Sequence, residues 1–202
     1  MKKDVIQNII EYAKTAPDFR STMEIILKGI QKYTGFECVA IRIKNEIGDY
    51  PYYVYCGFRK EFIEKENSLC ELDEKGNIKR DAEGNPVLEC MCGNIIRGRV
   101  NPDLTFFTKG GSFWTNSTTE LLSSSTEEDR KARTRNRCNG EGYESVGLFP
   151  LKYGVIILGL LQLNDHKKGM FKKELLEDYE KAAAQIAHFV YFSAIFKDFR
   201  EK

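Results

Sequence analysis

Two strand-like runs, residues 145–152 and 155–164, are separated by only Tyr153-Gly154. Runs joined this tightly pair antiparallel, because a parallel partner needs a crossover of about a dozen residues. The chain must therefore contain an antiparallel sheet near its C-terminal end. A second pair, 37–44 and 52–58, brackets a segment with a Gly48-Asp49 turn signal and reads as another hairpin.

Helical periodicity surrounds these strands. Val5, Ile6, Ile9, Ile10 and Ala13 recur at helical spacing until Pro17 breaks the segment. Asp18 is a suitable N-cap for a second helix with Met23, Ile26, Leu27 and Ile30 on its apolar face, and Gly35 stands where a left-handed C-cap is wanted. Residues 93–99 read as a short helix and 111–116 as a strand with Phe113 and Trp114. Ser125-Thr126-Glu127-Glu128 is a capping box that predicts a charged helix up to about Arg137. A long helix begins near Lys172. Strands in a meander with helices before, between and after them indicate an α+β domain whose sheet is covered by the first helices and the last one.

At 202 residues the chain fits one domain with an extension: 1–17 as an N-terminal helical extension, 18–202 as the domain proper. Residues 71–89 form a polar insertion with two turn elements, Asp73-Glu74-Lys75-Gly76-Asn77 and Asp81-Ala82-Glu83-Gly84-Asn85, predicting a small hairpin with Ile78 and Arg80 between them. With 31 basic against 30 acidic residues, the balance argues against nucleic acid as a partner. The longest apolar strip, 155–161, is too short to span a bilayer, and no secretory h-region follows the N-terminus. The expectation is a cytoplasmic protein with reduced thiols, in which the Asn116-Ser117-Thr118 sequon carries no meaning.

The six cysteines divide by context. Cys38 and Cys56 fall in strands and read as small core residues. Cys70, Cys90, Cys92 and Cys138 stand beside polar or charged residues. Four thiolates are the number needed for a zinc or iron–sulfur centre, although C-x19-C-x-C-x45-C lacks the usual C-x2-C pair. Free thiols or a redox pair are the alternatives. Cys92, ahead of the helix expected from Gly93, and Cys138, after Arg133, Arg135 and Arg137, both sit where a thiolate is favoured.

The chain resembles a GAF domain. The resemblance is carried by Cys38-Val39-Ala40-Ile41-Arg42-Ile43, by Cys92-Gly93-Asn94-Ile95-Ile96-Arg97-Gly98, by Ser145-Val146-Gly147-Leu148-Phe149-Pro150-Leu151 and by Ile157-Leu158-Gly159-Leu160-Leu161-Gln162-Leu163-Asn164. The blocks 110–117 and 133–143 resemble a cysteine-bearing subgroup found beside sensor kinases. The resemblance implies a central antiparallel sheet of five to six strands, with terminal helices on one face and loops and short helices roofing a small-molecule pocket on the other. It also implies a sensory module that works beside a kinase or other output domain. The chain is similar, too, to the free methionine-(R)-sulfoxide reductases, whose cysteines match Cys92 and Cys138. Their substrate-binding carboxylates do not carry over: Val146, Gln162 and Asn164 stand at those positions. That enzyme is the alternative reading, with Cys92 and Cys138 as catalytic thiols.

Candidate ligand-binding residues are Trp114, Asn116, Arg135, Tyr143, Gln162 and Asn164. Gln162 and Asn164 lie two apart on a strand and share a face. Residues 130–137 hold five basic side chains, read either as a solvated helix face with Glu127–Lys131 and Asp129–Arg133 pairs or as an anion grip through Arg135 or Arg137. Gly110-Gly111-Ser112 is not a phosphate loop, since no Lys-Ser/Thr follows. His166 and His188 have no partner by spacing. The last helix carries Ile186, Phe189, Val190, Phe192, Ile195, Phe196 and Phe199, too wide an apolar surface for one stripe. It predicts either a homodimer through the terminal helices or packing against the first helix.

Overall fold

The computed structural model describes residues 7–9, 11, 13, 15–131 and 134–200, with 195–200 by backbone alone. Helix α1 (Phe19–Thr34) leads into strands β1 (Cys38–Ile43) and β2 (Tyr52–Cys56), then helix α2 (Lys60–Glu66). After the polar insertion come helix α3 (Cys90–Ile96), strand β3 (Phe113–Thr115) and helices α4 (Thr118–Ser124) and α5 (Arg137–Gly140). Strands β4 (Ser145–Tyr153) and β5 (Ile156–Asp165) follow, and a 3₁₀ turn opens the long helix α6 (Leu176–Arg200).

The five strands form one antiparallel sheet in the order β2-β1-β5-β4-β3, the α+β architecture expected from the hairpins. Its register explains the two faces. Ile41 and Phe149 both stand opposite Leu161 across the central strands. These residues, with Val39, Val54, Leu151 and Leu163, meet Met23, Ile26, Leu27 and Ile30 of α1 and Ala183, Ile186 and Val190 of α6 in one apolar layer. The alternate residues Cys38, Ala40, Val146, Leu148 and Leu160 face the other way, under a roof made from α2, α3 and the loops.

Local signals set the ends of α1. Asp18 caps it by accepting from the Ser21 amide at 2.8 Å. Gly35, at φ 75, closes it by donating its N–H to Gln31. Of the N-terminal helix, Val5, Ile6 and Ile10 lie outside the described residues. Its Ala13 is fully buried in the apolar layer, and Gln185 of α6 donates to Gln7 at 2.8 Å.

The polar insertion folds more tightly than the expected hairpin. Its two turns bring residues 70–72, 78–80 and 86–88 side by side. Glu71 N–H donates to Val87, Val87 to Lys79, and Lys79 to Glu71, which closes a ring of backbone hydrogen bonds. The two ends meet where Cys70 pairs with Leu88.

Among the described residues, 125–131 and 134–136, the charged helix expected from Ser125 to Arg137 does not form. Thr126 caps a single turn, receiving the Asp129 amide at 3.1 Å, and Lys131 at φ 65 leaves the right-handed region. The Arg130 carbonyl accepts from the Asn94 side chain at 2.7 Å instead of from a following helical amide. Arg133 lies outside the described residues, and Glu127 and Lys131 form no ion pair among the described residues. Helices α2 and α4, unread in the sequence, supply part of the roof in its place.

Candidate functional site

Helix α3 begins at Cys90, three residues before the expected Gly93. Glu89 is extended and its carbonyl accepts the Gly93 amide at 3.1 Å, so Cys90 takes the first helical position and Cys92 the third. Cys90 adopts φ 64, a left-handed conformation uncommon outside glycine and costly to hold. Gly93 lets the helix lie against the preceding strand-like segment: a Cβ there would come 2.8 Å from Leu88 backbone.

The early start of α3 reverses the expected roles of its two thiols. The Cys92 thiol donates to the Cys90 sulfur, and the amides of Arg135 and Met91 also point at it, bringing Cys90 down to about 7. The same hydrogen bond, together with burial, pushes the Cys92 thiol up. Cys138, in α5, is pushed up to about 12 by burial, although Asn164 donates to its sulfur at 3.6 Å.

Cys90, Cys92 and Cys138 line a common cavity of about 60 Å³ under the roof. Met91, Phe113, Leu121, Leu122, Val146 and Leu148 give it mostly apolar walls. Arg130 and Arg137 supply its charged groups, and neither Asp nor Glu lines it. Cys70 does not join the other three. The fold-back of the insertion turns its thiol to Ser68 and Asp49, and burial raises it. The four-thiolate centre suggested by counting cysteines is thus not assembled: among the described residues no group of three or more His, Cys, Asp or Glu is placed to hold a metal ion. All six cysteines are free thiols.

The six candidate ligand-binding residues scatter. Arg135 does not line the cavity. It pairs with Glu89 at 2.7 Å and Glu66 at 3.6 Å and donates to the Ser68 and Cys70 carbonyls. Arg137 does line it, with its Nε held by buried Glu66 at 2.6 Å. Trp114 packs on the helix side of the sheet, edge-on to Phe171. Asn116 spends its amide on the Phe171 backbone. Both border a separate open cleft of about 510 Å³ at the β3 edge. Tyr143 is buried between Phe58 and Phe62, with its hydroxyl facing the Cys38 thiol.

Gln162 and Asn164 do share a face, the roofed one. Tyr52 donates to Gln162 at 3.1 Å, Gln162 to Asn164 at 3.1 Å, and Asn164 to Cys138. This buried chain ends on a thiol and starts beside Arg42, whose guanidinium lies 3.5 Å from the Tyr52 ring centroid. Arg42 is 1% exposed and is held by the carbonyls of Tyr50, Glu66 and Asn67. His166 has partners that spacing alone could not reveal: Glu37 at 2.6 Å and the Tyr143 ring. Arg130, 7% exposed, is buried although it belongs to a run of basic residues whose pattern fits a solvated face. The signal for α4 was present: Ser117 followed by Glu120 is a capping pattern, and Ser117 does cap that helix.

Solved structures of similar architecture cover nearly the whole chain. The GAF domain of an Acinetobacter phosphoenolpyruvate-protein phosphotransferase matches with a TM-score of 0.66 at 12% identity, covering 98% of each chain. The corresponding domain from Coxiella burnetii gives 0.67 at 11% identity, covering 98% of this chain and 96% of that one. The chain folds as a GAF domain. A type II free methionine-R-sulfoxide reductase from Thermoplasma acidophilum has a similar fold, with a TM-score of 0.53, 14% identity and coverage of 91% and 95%. No protein-family model matches the sequence, and no curated protein matches it. The same fold is thus shared by domains of phosphotransferases and by a reductase, and fold alone does not fix function, so the residues of the roofed cavity must be weighed.

Proposed function

We propose that this chain is a signal-sensing regulatory module whose input site is the roofed cavity. The observation that carries the reading is the meeting of Cys90, Cys92 and Cys138, from two distant elements, on one cavity wall. In this reading Cys90 is the responsive thiol, because it alone is poised to ionise near neutral pH. A peroxide is the oxidant. The Cys90 thiolate attacks one oxygen of hydrogen peroxide, the O–O bond breaks, and hydroxide leaves, taking a proton from solvent to become water and leaving Cys90 as a sulfenic acid. The Cys92 thiol then displaces a second water and forms the disulfide, so two thiols are oxidised and one peroxide reduced.

The sheet carries the change to the terminal helices, since β4 faces the cavity through Val146 and Leu148 and α6 through Phe149 and Leu151. A homodimer through α6 passes it to an attached kinase or other output domain in the cytoplasm. The similar domains of the phosphotransferases, each taken from a larger enzyme, support an attached output. Among the described residues no helix is long and apolar enough to cross a membrane. Phe192, 44% exposed on α6, is available for the dimer contact. Peroxide treatment followed by non-reducing mass spectrometry should yield a Cys90–Cys92 disulfide and altered amide exchange in α6. Thiols that stay reduced, or an α6 that does not respond, would sink the reading.

The alternative is a thiol-dependent reductase of the free methionine sulfoxide type. Its support is that Cys92 and Cys138 share the cavity. The charge of the site opposes it: a substrate ammonium would meet Arg130 and Arg137 and no lining carboxylate. Turnover of free methionine-(R)-sulfoxide with a dithiol reductant would establish this alternative.

A further inference from the structure

The walls around the three thiols are almost entirely apolar. Helix α3 contributes Met91, α4 contributes Leu121 and Leu122, and β4 contributes Val146 and Leu148. The polar groups that border the space are held by other partners. Arg130 gives its Nη1 to the Ser125 carbonyl at 2.6 Å and hydroxyl at 2.7 Å, and its Nε is sealed inside the protein. Arg137 turns its Nε to Glu66 at 2.6 Å. Thr118 donates to the Tyr143 carbonyl at 2.7 Å, and Asn139 donates to the Thr118 and Thr119 hydroxyls at 3.1 and 3.0 Å. The space is left to hydrocarbon and sulfur. Cys90, Leu121 and Leu122 are half-buried, so it opens to solvent beside the responsive thiol.

We infer that the oxidant this site selects is a short-chain alkyl hydroperoxide, with its hydrocarbon among Met91, Leu121, Leu122 and Val146 and its peroxide group at Cys90. The inference rests on the cavity being the input site of a peroxide-responsive module and names the class of peroxide. Hydrogen peroxide is polar at both ends, gains nothing from apolar walls and gives up hydrogen bonds to water on entering. An alkyl hydroperoxide keeps one polar end at the thiol, and each carbon it buries favours its uptake. Size limits the tail. A cavity of about 60 Å³ is well below the roughly 150 Å³ that takes a benzene-sized guest, so it admits about two or three carbons. The Cys90 thiolate attacks the terminal oxygen and the O–O bond breaks. The alkoxide leaves and takes a proton from solvent to become an alcohol, while Cys90 keeps the oxygen as a sulfenic acid. The Cys92 thiol then forms the disulfide and releases one water, so two thiols are oxidised and one hydroperoxide is reduced.

The test compares the rates at which hydrogen peroxide, ethyl hydroperoxide and cumene hydroperoxide oxidise Cys90 in the full chain. Free N-acetylcysteine, run in parallel, supplies the intrinsic order of the three. Normalised to it, ethyl hydroperoxide should gain about tenfold over hydrogen peroxide, the size expected for two buried carbons. Cumene hydroperoxide, whose ring exceeds the cavity, should gain nothing. Leu122→Trp, which fills the space from a half-buried position, should erase the ethyl gain. Leu122→Asn, of similar size but polar, should reduce it and covers the case in which the bulky variant fails to fold. No ethyl gain over the free thiol, an equal gain for cumene hydroperoxide, or a full gain retained in the folded variants overturns the inference. Oxidation by hydrogen peroxide without an alkyl gain retires this inference alone. A Cys90 that resists all three oxidants retires it together with the redox reading. Selective oxidation by ethyl hydroperoxide with no change in α6 amide exchange retires the signalling reading and leaves this site standing.

Discussion

The two faces of the sheet are built on different rules. On the helix face, Val39, Ile41, Phe149, Leu151, Leu161 and Leu163 meet α1 and α6 in a layer of aliphatic and aromatic side chains. On the roofed face the same strands bury Arg42, Gln162 and Asn164 and bring thiols against them. Apolar burial needs only volume and shape. Buried polar groups need every partner in place, and those partners come from β2, α2, α5 and the loops. One face of the strands therefore serves stability, and the other holds the groups that can do chemistry.

That division can be broken at chosen points. Phe149→Ala, at a fully buried site of the helix face, should cost about 3–5 kcal/mol in a urea melt. Protein that remains folded should keep the Cys90 reactivity of wild type, and altered thiol reactivity would show that the two faces are not separable. Gly93→Ala attacks the roof, where the added methyl meets the Leu88 backbone. It should cost about 1–3 kcal/mol and disturb Cys90 and Cys92 disproportionately, read as a changed alkylation rate in the folded protein. The mildest perturbation is pH. Cys90 ionises at about 7, so its alkylation by iodoacetamide should be slow in acid, reach half its plateau near pH 7 and level off above it. Cys138, held near 12, should stay unreactive across that range. Parallel profiles for the two cysteines would erase the distinction drawn between them.

The helix face was legible in the sequence because its information is periodic. Alternation along residues 37–44 and the spacing of Met23, Ile26, Leu27 and Ile30 each identify a buried side without any tertiary knowledge. Asp18 and Gly35 add local punctuation. The roof is legible only in part, because its residues acquire their roles from distant neighbours. Cys90 rather than Cys92 begins α3 because Glu89 is extended and takes the Gly93 amide. Arg130 is buried because Ser125 and Asn94 draw a charged segment inward. Cys70 parts from the other thiols because the insertion returns on itself. None of these causes is periodic, and each joins residues that lie apart in the chain or in a turn.

The insertion at 71–89 has a consequence for handling the protein. Its hydrogen-bonded ring is complete in itself, and the chain leaves and re-enters the roof at the adjoining pair Cys70 and Leu88. It also rests on the roof through Ile78 and through Arg97, which donates to the Pro86 carbonyl at 2.7 Å. The exposed tip around Gly84 is accordingly a port for a fluorophore or an affinity tag, anchored to the segment that leads directly into α3 and its thiols.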